Sequence, residues 1–487
     1  MATKCNSSRD VISELPAEIK ERILERLPTR DAARTAILST GWRDVWLGLG
    51  RIVVDSDLLQ CVQRRQGDKT IAFVNMINVI LLRQAGPVKK FTLCIYLSSL
   101  QLQQSDFDRW FLFLSRNGIQ ELKIFLADWG RHEYKYKLPY CILTCPTIKK
   151  LKLGYFVFYL PIKACSIFSG LTSLVFEGVK FSDELNGIVY KIPNLEKLEF
   201  DCFCFGISNF KIRVPKLESL SITSCIGAAE LRWFAFHLKA IKTLCLGHFL
   251  LFFKLEDFVL APLMFPTAIN LQVIKLYSLN FAREKQFTVA LQLLKNSPNL
   301  CELEIIASYS TYLFDDTRLP EDHGYIIDQD LKMLHTLKIE SFRGSKVQMY
   351  FVKMLLSKCP ALEKVVIQGS DDLNPSAALK ISKELLRFPR ASPKAQVVYM
   401  DYNFRYKVIS ILVMLGISLL VRSGGFAFVD ILKSEVLEDT NFVDWKQKVD
   451  MLLSFYGYKD IICVDKPPKM PKGVTDDLAV KANMNKN

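Results

Sequence analysis

The sequence predicts an α/β protein in which a short three-helix module precedes a curved solenoid built on one parallel sheet. Three observations predict it. Between Leu15 and Trp46, apolar residues recur at three- and four-residue spacing, and prolines and small capping residues cut the stretch into about three helices. From Val88 to Ile367 a pattern of the form apolar-x-x-apolar-x-apolar returns eleven times. Half of the 487 residues are hydrophobic, enough for one large elongated domain or two to three compact ones.

In the N-terminal module, Leu15, Ile19, Ile23, Leu24 and Leu27 form one stripe of a first helix. Pro16 suits its first turn, where a missing N–H costs nothing. Pro28 ends it, because the residue before a proline is pushed out of the α region. Thr29 then caps a second helix through Ala32, Ala33, Ala36, Ile37 and Leu38, with Asp31 favoured in the first turn by the helix dipole. Ser39 or Thr40 starts a third, carrying Trp42, Val45 and Trp46. Units below roughly 40 residues rarely bury all of their own apolar surface, so a partner surface is expected.

Leu15-Pro16, Ile19, Ile23-Leu24, Leu27-Pro28, Asp31, Leu38-Ser39 and Trp42-Arg43 fill a pattern that resembles an F-box, the adaptor-binding module of SCF-type ubiquitin ligases. The match covers residues 11–52; Gly41 departs from it, where the family more often has a polar or basic residue. The resemblance implies that Leu15, Pro16, Ile19, Ile23, Leu24, Leu27 and Pro28 dock a Skp-type adaptor and, through it, a cullin. Five Leu/Ile side chains at about 1.5 to 3 kcal/mol each give about 8 to 15 kcal/mol gross. Association costs about 4 to 15 kcal/mol, so one charge in the stripe is expected to abolish docking.

Arg51–Asp57 reads as a short strand and Thr70–Leu82 as a helix with Ile71, Val74, Ile77 and Leu81 on one side. The recurring pattern then begins at Val88, Ile119, Ile148, Leu171, Leu195, Leu217, Ile241, Leu271, Leu300, Leu334 and Leu362, in steps of 31, 29, 23, 24, 22, 24, 30, 29, 34 and 28 residues. Those periods suit leucine-rich repeats, one strand and one return segment per unit, over residues 53–333. Alternation along each strand points Lys150, Lys152, Lys197, Glu199, Ser219, Ser221, Thr243 and Cys245 outward, onto the concave face of the sheet. The longer steps leave room for helices, with Trp110, Phe111 and Leu114 on one core face and Phe287, Leu291 and Leu294 on another.

Residues 334–403 read as two strand-helix units, one helix using Val347, Phe351, Met354 and Leu355, the other capped by Asn374, started by Pro375 and running through Leu379 and Leu386. Leu337-Lys338-Ile339, Phe342, Leu355-Leu356, Cys359-Pro360, Leu362-Glu363, Phe388-Pro389-Arg390-Ala391-Ser392 and Gln396-Val397 resemble the FBD region of plant F-box proteins, which follows an F-box and degenerate leucine-rich repeats in this same order. A closing unit with a polar outer edge is expected of a solenoid end.

Residues 404–487 depart from the plan. Val408–Val421 is apolar but only fourteen residues long, short of the about 20 a spanning helix needs, so it reads as a buried or aberrant segment. Asn441-Phe442-x-x-Trp445 and Asp465-Lys466-Pro467-Pro468 resemble the gag-like N-terminal region of plant copia-type retrotransposons, which implies a fused segment or a gene-model artefact. From Pro467 the polar, Pro/Lys-rich composition predicts disorder.

Composition narrows the function. The net charge of +14 comes from dispersed bases, densest at Lys89-Lys90 and Lys149-Lys150-Leu151-Lys152, each inside a repeat. That pattern reads as a basic solvated face, suited to an acidic protein partner; nucleic acid and membrane are not expected partners. Thirteen scattered cysteines without a CxxC, and no secretory signal at MATKCNSSRD, place the chain in the nucleus or cytoplasm. Five histidines in no cluster with those cysteines give no zinc site. GxxxxGK[ST], GxGxxG, HExxH and GxSxG motifs are absent, Asp315-Asp316 and Asp371-Asp372 read as loop acids, and Cys5, Cys61 and Cys463 have no recognisable histidine partner. No catalysis, cofactor or metal is expected. The resemblances imply a non-catalytic substrate receptor of a cullin-based ligase, binding an unknown protein target; the alternative is a leucine-rich-repeat scaffold without a ligase role.

Overall fold

The computed structural model describes residues 14–37, 39–63, 67–96, 100–127, 136–159, 167–182, 189–201, 204–207, 210–223, 225–226, 239–247, 267–308 and 330–400. All fall within one compact unit, Met1–Asn403. Leu38, Cys5, Cys463, Asp315-Asp316, Val408–Val421 and the gag-like stretch lie outside the described residues.

Among the described residues, thirteen parallel strands form one sheet whose spatial order follows the sequence. Each of the eleven recurring patterns is a strand that begins two residues after the pattern starts: Val88 leads Lys90–Tyr96, Leu195 leads Lys197–Asp201, Leu362 leads Lys364–Gly369. The leading residue itself, from Val88 to Leu362, is buried in every repeat and seals the core beneath the strand entrance. Arg51–Val54 adds a strand at one end, as the sequence suggests, and Gln396–Met400 adds one at the other. The register is unshifted across the middle repeats, so Leu151, Leu174, Leu198, Leu220 and Leu244 stack laterally as one inward row. A one-residue slip would turn that whole row to solvent, which is why burial fixes the register.

The residue before several patterns adds a lock that periodicity does not reveal. Asn194, Asn270 and Asn299 each donate a side-chain hydrogen bond to a carbonyl one repeat earlier, at Ser169, Lys239 and Ile269. Thr147 does the same to Ile119.

Step length decides what covers the inner face. In the steps from Val88, Ile119, Leu271 and Leu334, of 28 to 31 residues, helices pack against it; the return segments from Ile241 and Leu300 lie largely outside the described residues. Helix α1 is Ala17–Leu24, α2 Thr29–Arg34, α3 Ser56–Gln63, α4 Lys69–Leu82, α5 Gln104–Arg116, α6 Tyr140–Leu143, α7 Glu284–Lys295, α8 Lys346–Lys358 and α9 Pro375–Arg387. The predicted core faces hold: Trp110, Phe111 and Leu114 on α5, Phe287, Leu291 and Leu294 on α7, and Phe351, Met354 and Leu355 on α8 are buried in the same core as the inward strand rows. Steps of 22 to 24 residues leave no room for three helical turns. There the return segments are two- and three-residue strands, Val157–Phe158, Lys180–Phe181, Cys204–Phe205 and Cys225–Ile226 in one small sheet and Val189–Lys191 with Lys211–Arg213 in another. Phenylalanines fill the gap: Phe158, Phe176, Phe181 and Phe210 meet at centroid distances of 5.0 to 5.8 Å, mostly in the edge-to-face arrangement that ring quadrupoles favour.

Three expectations change. On α4 the buried stripe is Phe73, Ile77 and Leu81, while Ile71 is exposed. The helix is apolar on nearly every side, so periodicity cannot choose its face. Packing does, through the Phe73–Trp110 contact at 6.5 Å and a hydrogen bond from Trp110 Nε1 to Asn78 at 2.8 Å. On α9, Asn374 caps as expected by accepting from Ala377 N at 2.8 Å, but Ala378, Ile381 and Leu385 face the core and Leu379 and Leu386 face outward. The closing edge is also less polar than expected, since Val398 and Met400 on the last strand are exposed. No helix among the described residues is long and apolar enough to cross a membrane.

Candidate functional site

The N-terminal module is two short helices and three 3-10 turns, Thr35–Ile37, Thr40–Trp42 and Val45–Gly48, in place of the expected third helix. Gly41 sits where a helix would have to start, and glycine is about 1 kcal/mol worse than alanine in a helix. The chain takes i to i+3 bonds instead, from Trp42 N to Ser39 O at 3.1 Å and from Leu47 N to Asp44 O at 3.0 Å. Thr29 does not cap α2 either. Pro28 occupies that position, and the Thr29 hydroxyl accepts from Val53 N at 2.6 Å. It thereby covers the open edge of the first strand, an edge that is otherwise a template for stray pairing. Arg51 donates to the Glu25 carbonyl at 2.6 Å, and Ala85 N to Leu47 O at 2.9 Å, fastening the module to the solenoid.

The module has a small core of its own: Leu24, Ala32, Trp42 and Leu49, with Leu27, Val45 and Trp46 packed against it. Lys20, nearly buried, closes this core by donating to Gly41 O at 3.1 Å and lying over the Trp42 ring at 5.7 Å. The seven residues of the predicted docking stripe therefore separate. Leu24 is 1% exposed and belongs to the core; it offers no docking surface. Leu15 and Leu27 are half-buried, Pro16 and Pro28 exposed. Ile19 and Ile23, one turn apart on α1, are 39% and 40% exposed. Ile37, which the sequence places in a helix stripe, is 85% exposed at the end of a 3-10 turn. Only the change of helix type after Arg34 reveals this, and periodicity carries no signal for it. Ile37 is exposed singly, whereas Ile19 and Ile23, four residues apart on α1, form an adjacent exposed apolar pair.

The second surface is the outward face of the sheet. Lys150, Lys152, Lys197, Glu199, Ser219, Ser221 and Thr243 reach solvent on it as expected, but Cys245 is buried between Ser221 and Tyr277. Burial pushes its thiol upward, against the opposing hydrogen bonds from those two neighbours, so it is a packed thiol with no nucleophilic character at neutral pH. Beside it lies a chain of ion pairs. Glu304 accepts from Lys275 at 2.7 Å and Lys338 at 3.2 Å, and Lys338 also meets Glu340 at 2.5 Å. Burial pushes the Glu304 carboxyl up, but the hydrogen bonds and charges of the two lysines outweigh it and hold it below the usual carboxylate range. The Glu304 bond raises Lys275 in turn, and burial raises the Tyr277 phenol. Register shifts beside Tyr277 and beyond Ile339, with Ser278 and Ser341 at φ of 62° and 57°, end these strands in bulges.

Asp371-Asp372 is a structural loop pair: Asp372 accepts from Ser370 Oγ at 2.7 Å and binds Arg343 at 2.6 Å. The described residues hold no group of three or more metal-ligating side chains.

Comparison with known proteins covers both regions of the chain. The F-box domain model matches residues 12–52, and the model for the LRR repeats of FBD-associated F-box protein At5g56370 matches residues 107–252. The F-box/FBD/LRR-repeat protein At1g13570 of Arabidopsis thaliana is 30% identical over 437 residues, 81% of this chain and 99% of that protein. Two further Arabidopsis thaliana relatives match in part. F-box/LRR-repeat protein At2g42720 is 35% identical over 30% of this chain and 32% of its own length. FBD-associated F-box protein At3g52670 is 24% identical over 49% of this chain and 54% of its own. A helical module with exposed isoleucines, set on a parallel repeat sheet and matched over 81% of the chain by a relative 30% identical to it, assigns this chain to the plant family of F-box/FBD/LRR-repeat proteins.

Proposed function

We propose that this chain is the substrate-recognition subunit of an SCF-type cullin ubiquitin ligase in the nucleus or cytoplasm. It takes no part in the chemistry: it holds a protein target near a ubiquitin-loaded enzyme and so raises the effective concentration of the two. The observation that carries this reading is the exposed pair Ile19 and Ile23, one turn apart on α1, with Ile37 exposed on the following 3-10 turn, on a module whose small core is already closed.

A Skp-type adaptor docks there, with Leu15, Pro16, Leu27 and Pro28 framing the isoleucines. Completing the burial of three isoleucines at 39%, 40% and 85% exposure contributes about 2.5 to 5 kcal/mol at about 1.5 to 3 kcal/mol per fully buried side chain. That falls below the larger sequence-based figure because Leu24 is already spent on the fold. Set against an association cost of about 4 to 15 kcal/mol, it requires the prolines and the flanking polar surface to contribute as well, and leaves no margin for a charge. Co-expression with a Skp-type adaptor and pull-down tests this: capture of the intact chain with loss in Ile23→Asp is expected. Equal recovery of both would refute the docking surface, and stable complexes lacking adaptor and cullin would favour a scaffold role.

A further inference from the structure

The outward face of the sheet is not electrostatically uniform. On its first four strands, Arg51–Val54, Lys90–Tyr96, Glu121–Ala127 and Lys150–Gly154, the two outward positions that lie in register from strand to strand carry five bases, Arg51, Lys90, Lys123, Lys150 and Lys152, against one acid, Glu121. On Val273–Leu279, Glu302–Ala307, Thr336–Phe342 and Lys364–Gly369 the same two positions carry Lys275, Lys338 and Lys364 against Glu302 and Glu304, and Glu340 at the next outward position adds the third acid, whereas that next position carries no charge on those of the first four strands that reach it. The strands between them carry mostly Ser173, Val175, Ser219, Ser221 and Thr243. Surplus charge is confined to the arm beside the F-box.

The basic arm is also partly pre-set. Lys90 and Lys150 both reach Glu121, at 3.4 and 3.2 Å, and these two lysines hold the Glu121 carboxyl below its ordinary value despite the burial that pushes it up. Lys90 and Lys150 lie two strand spacings apart, about 9 to 10 Å of backbone, and Lys123 lies two residues along the central strand from Glu121, about 7 Å away. Lys123 is exposed and makes no salt bridge among the described residues, and its register neighbour Lys152 binds Glu177 at 2.6 Å. Lys89 and Lys149 add two more exposed bases at the strand entrances.

We propose that this arm binds an acidic segment of a protein partner, with Lys90, Lys123 and Lys150 receiving its carboxylates. The inference rests on reading the outward sheet face as the target surface and adds the chemical class of what it takes. Lys123 lies diagonally from both Lys90 and Lys150, about 8 Å of backbone from each, close to the interval of about 7 Å between alternate carboxylates on an extended chain. Nucleic acid fits less well. The rings of Phe91 and Phe125 on these strands are buried, so they give bases no stacking platform.

The test uses the full chain and fluorescence anisotropy with three probes of matched length: oligoglutamate, oligolysine and a single-stranded oligonucleotide. The intact chain is expected to prefer oligoglutamate, with affinity that falls as salt rises. Lys90→Glu/Lys123→Glu/Lys150→Glu should weaken it about tenfold or more, given that exposed charge pairs contribute modestly and add. An equal reversal on α8 and α9, Lys346→Glu/Lys353→Glu/Lys380→Glu, should leave it unchanged. Wild-type affinity in the first variant, an equal loss in the second, or tighter binding of the oligonucleotide would each overturn the proposal. If the reversed chain does not fold, Lys90→Gln/Lys123→Gln/Lys150→Gln must still show a loss, and retained affinity overturns the idea. Adaptor pull-down on the same samples keeps the two readings apart: an intact chain that binds oligoglutamate but captures no adaptor sinks the receptor role alone.

Discussion

The F-box module and the solenoid solve the same burial problem with very different means. The solenoid stacks identical inward rows, so Leu174, Leu198 and Leu220 each lie between two neighbours and are fully buried. Among its described residues the module has a core of four buried apolar side chains and a lysine lid, and leaves three isoleucines partly or largely open. Repetition lets a repeat protein close its core from within, whereas a unit of this size closes only part of it. The incomplete core is where a partner is needed.

The largest expected effect lies in the solenoid. Phe176 touches Phe158, Phe181, Phe200 and Phe210 at 5.0 to 5.8 Å, and Phe176→Ala should cost about 3 to 5 kcal/mol in urea unfolding because the surrounding rings cannot collapse into the hole. A cost below about 1 kcal/mol would mean that the short repeats are loosely packed and would erase the contrast. Next, Leu24→Ala should cost about 2 to 5 kcal/mol within the module. Hydrogen exchange over Ala17–Leu24 should then lose protection, whereas Ile23→Asp should keep it while losing the adaptor. Loss of protection in both would show that Ile23 supports the fold and blur the division between core and surface.

Thr29→Val removes the acceptor for Val53 N and should cost about 1 to 3 kcal/mol, the penalty of an amide left unsatisfied. It should also raise exchange at the first strand without touching the middle repeats; unchanged exchange at Val53 would break the inference that the module guards that edge. The smallest effect concerns acidity. Glu304 has its folded-state value below its ordinary one, so its contribution is present above about pH 4.3 and is lost as pH falls through the folded value. Thermal melts should therefore show a steeper acid loss for the intact chain than for Glu304→Gln, and parallel curves would show the ion-pair chain to be energetically idle.

Much of this molecule was legible before any coordinates. The eleven patterns locate strands to the residue, because a half-buried strand demands strict alternation and each repeat restates it. Ser345, Asn374 and Asp68 cap helices α8, α9 and α4 by accepting from backbone amides, and a cap is local chemistry; the sequence reading named Asn374 among them. The short return strands were not legible, since two-residue strands have no period and their existence depends on step length. Nor was the face of α4, where apolar residues surround the helix.

The candidate site divides along the same line. The resemblance to an F-box nominated Leu15, Pro16, Ile19, Ile23, Leu27 and Pro28, yet it also nominated Leu24, which faces inward, and passed over Ile37. Sequence alone determined the strand starts, the Asn374 cap and the presence of a module too small to close itself, because each follows from local alternation, local capping chemistry or length. Only the tertiary structure decided which isoleucines stay open, that Thr29 guards an edge instead of capping a helix, and that unmatched positive charge gathers on one arm of the sheet. Those outcomes depend on which residues distant in sequence become neighbours, and a linear pattern does not encode that.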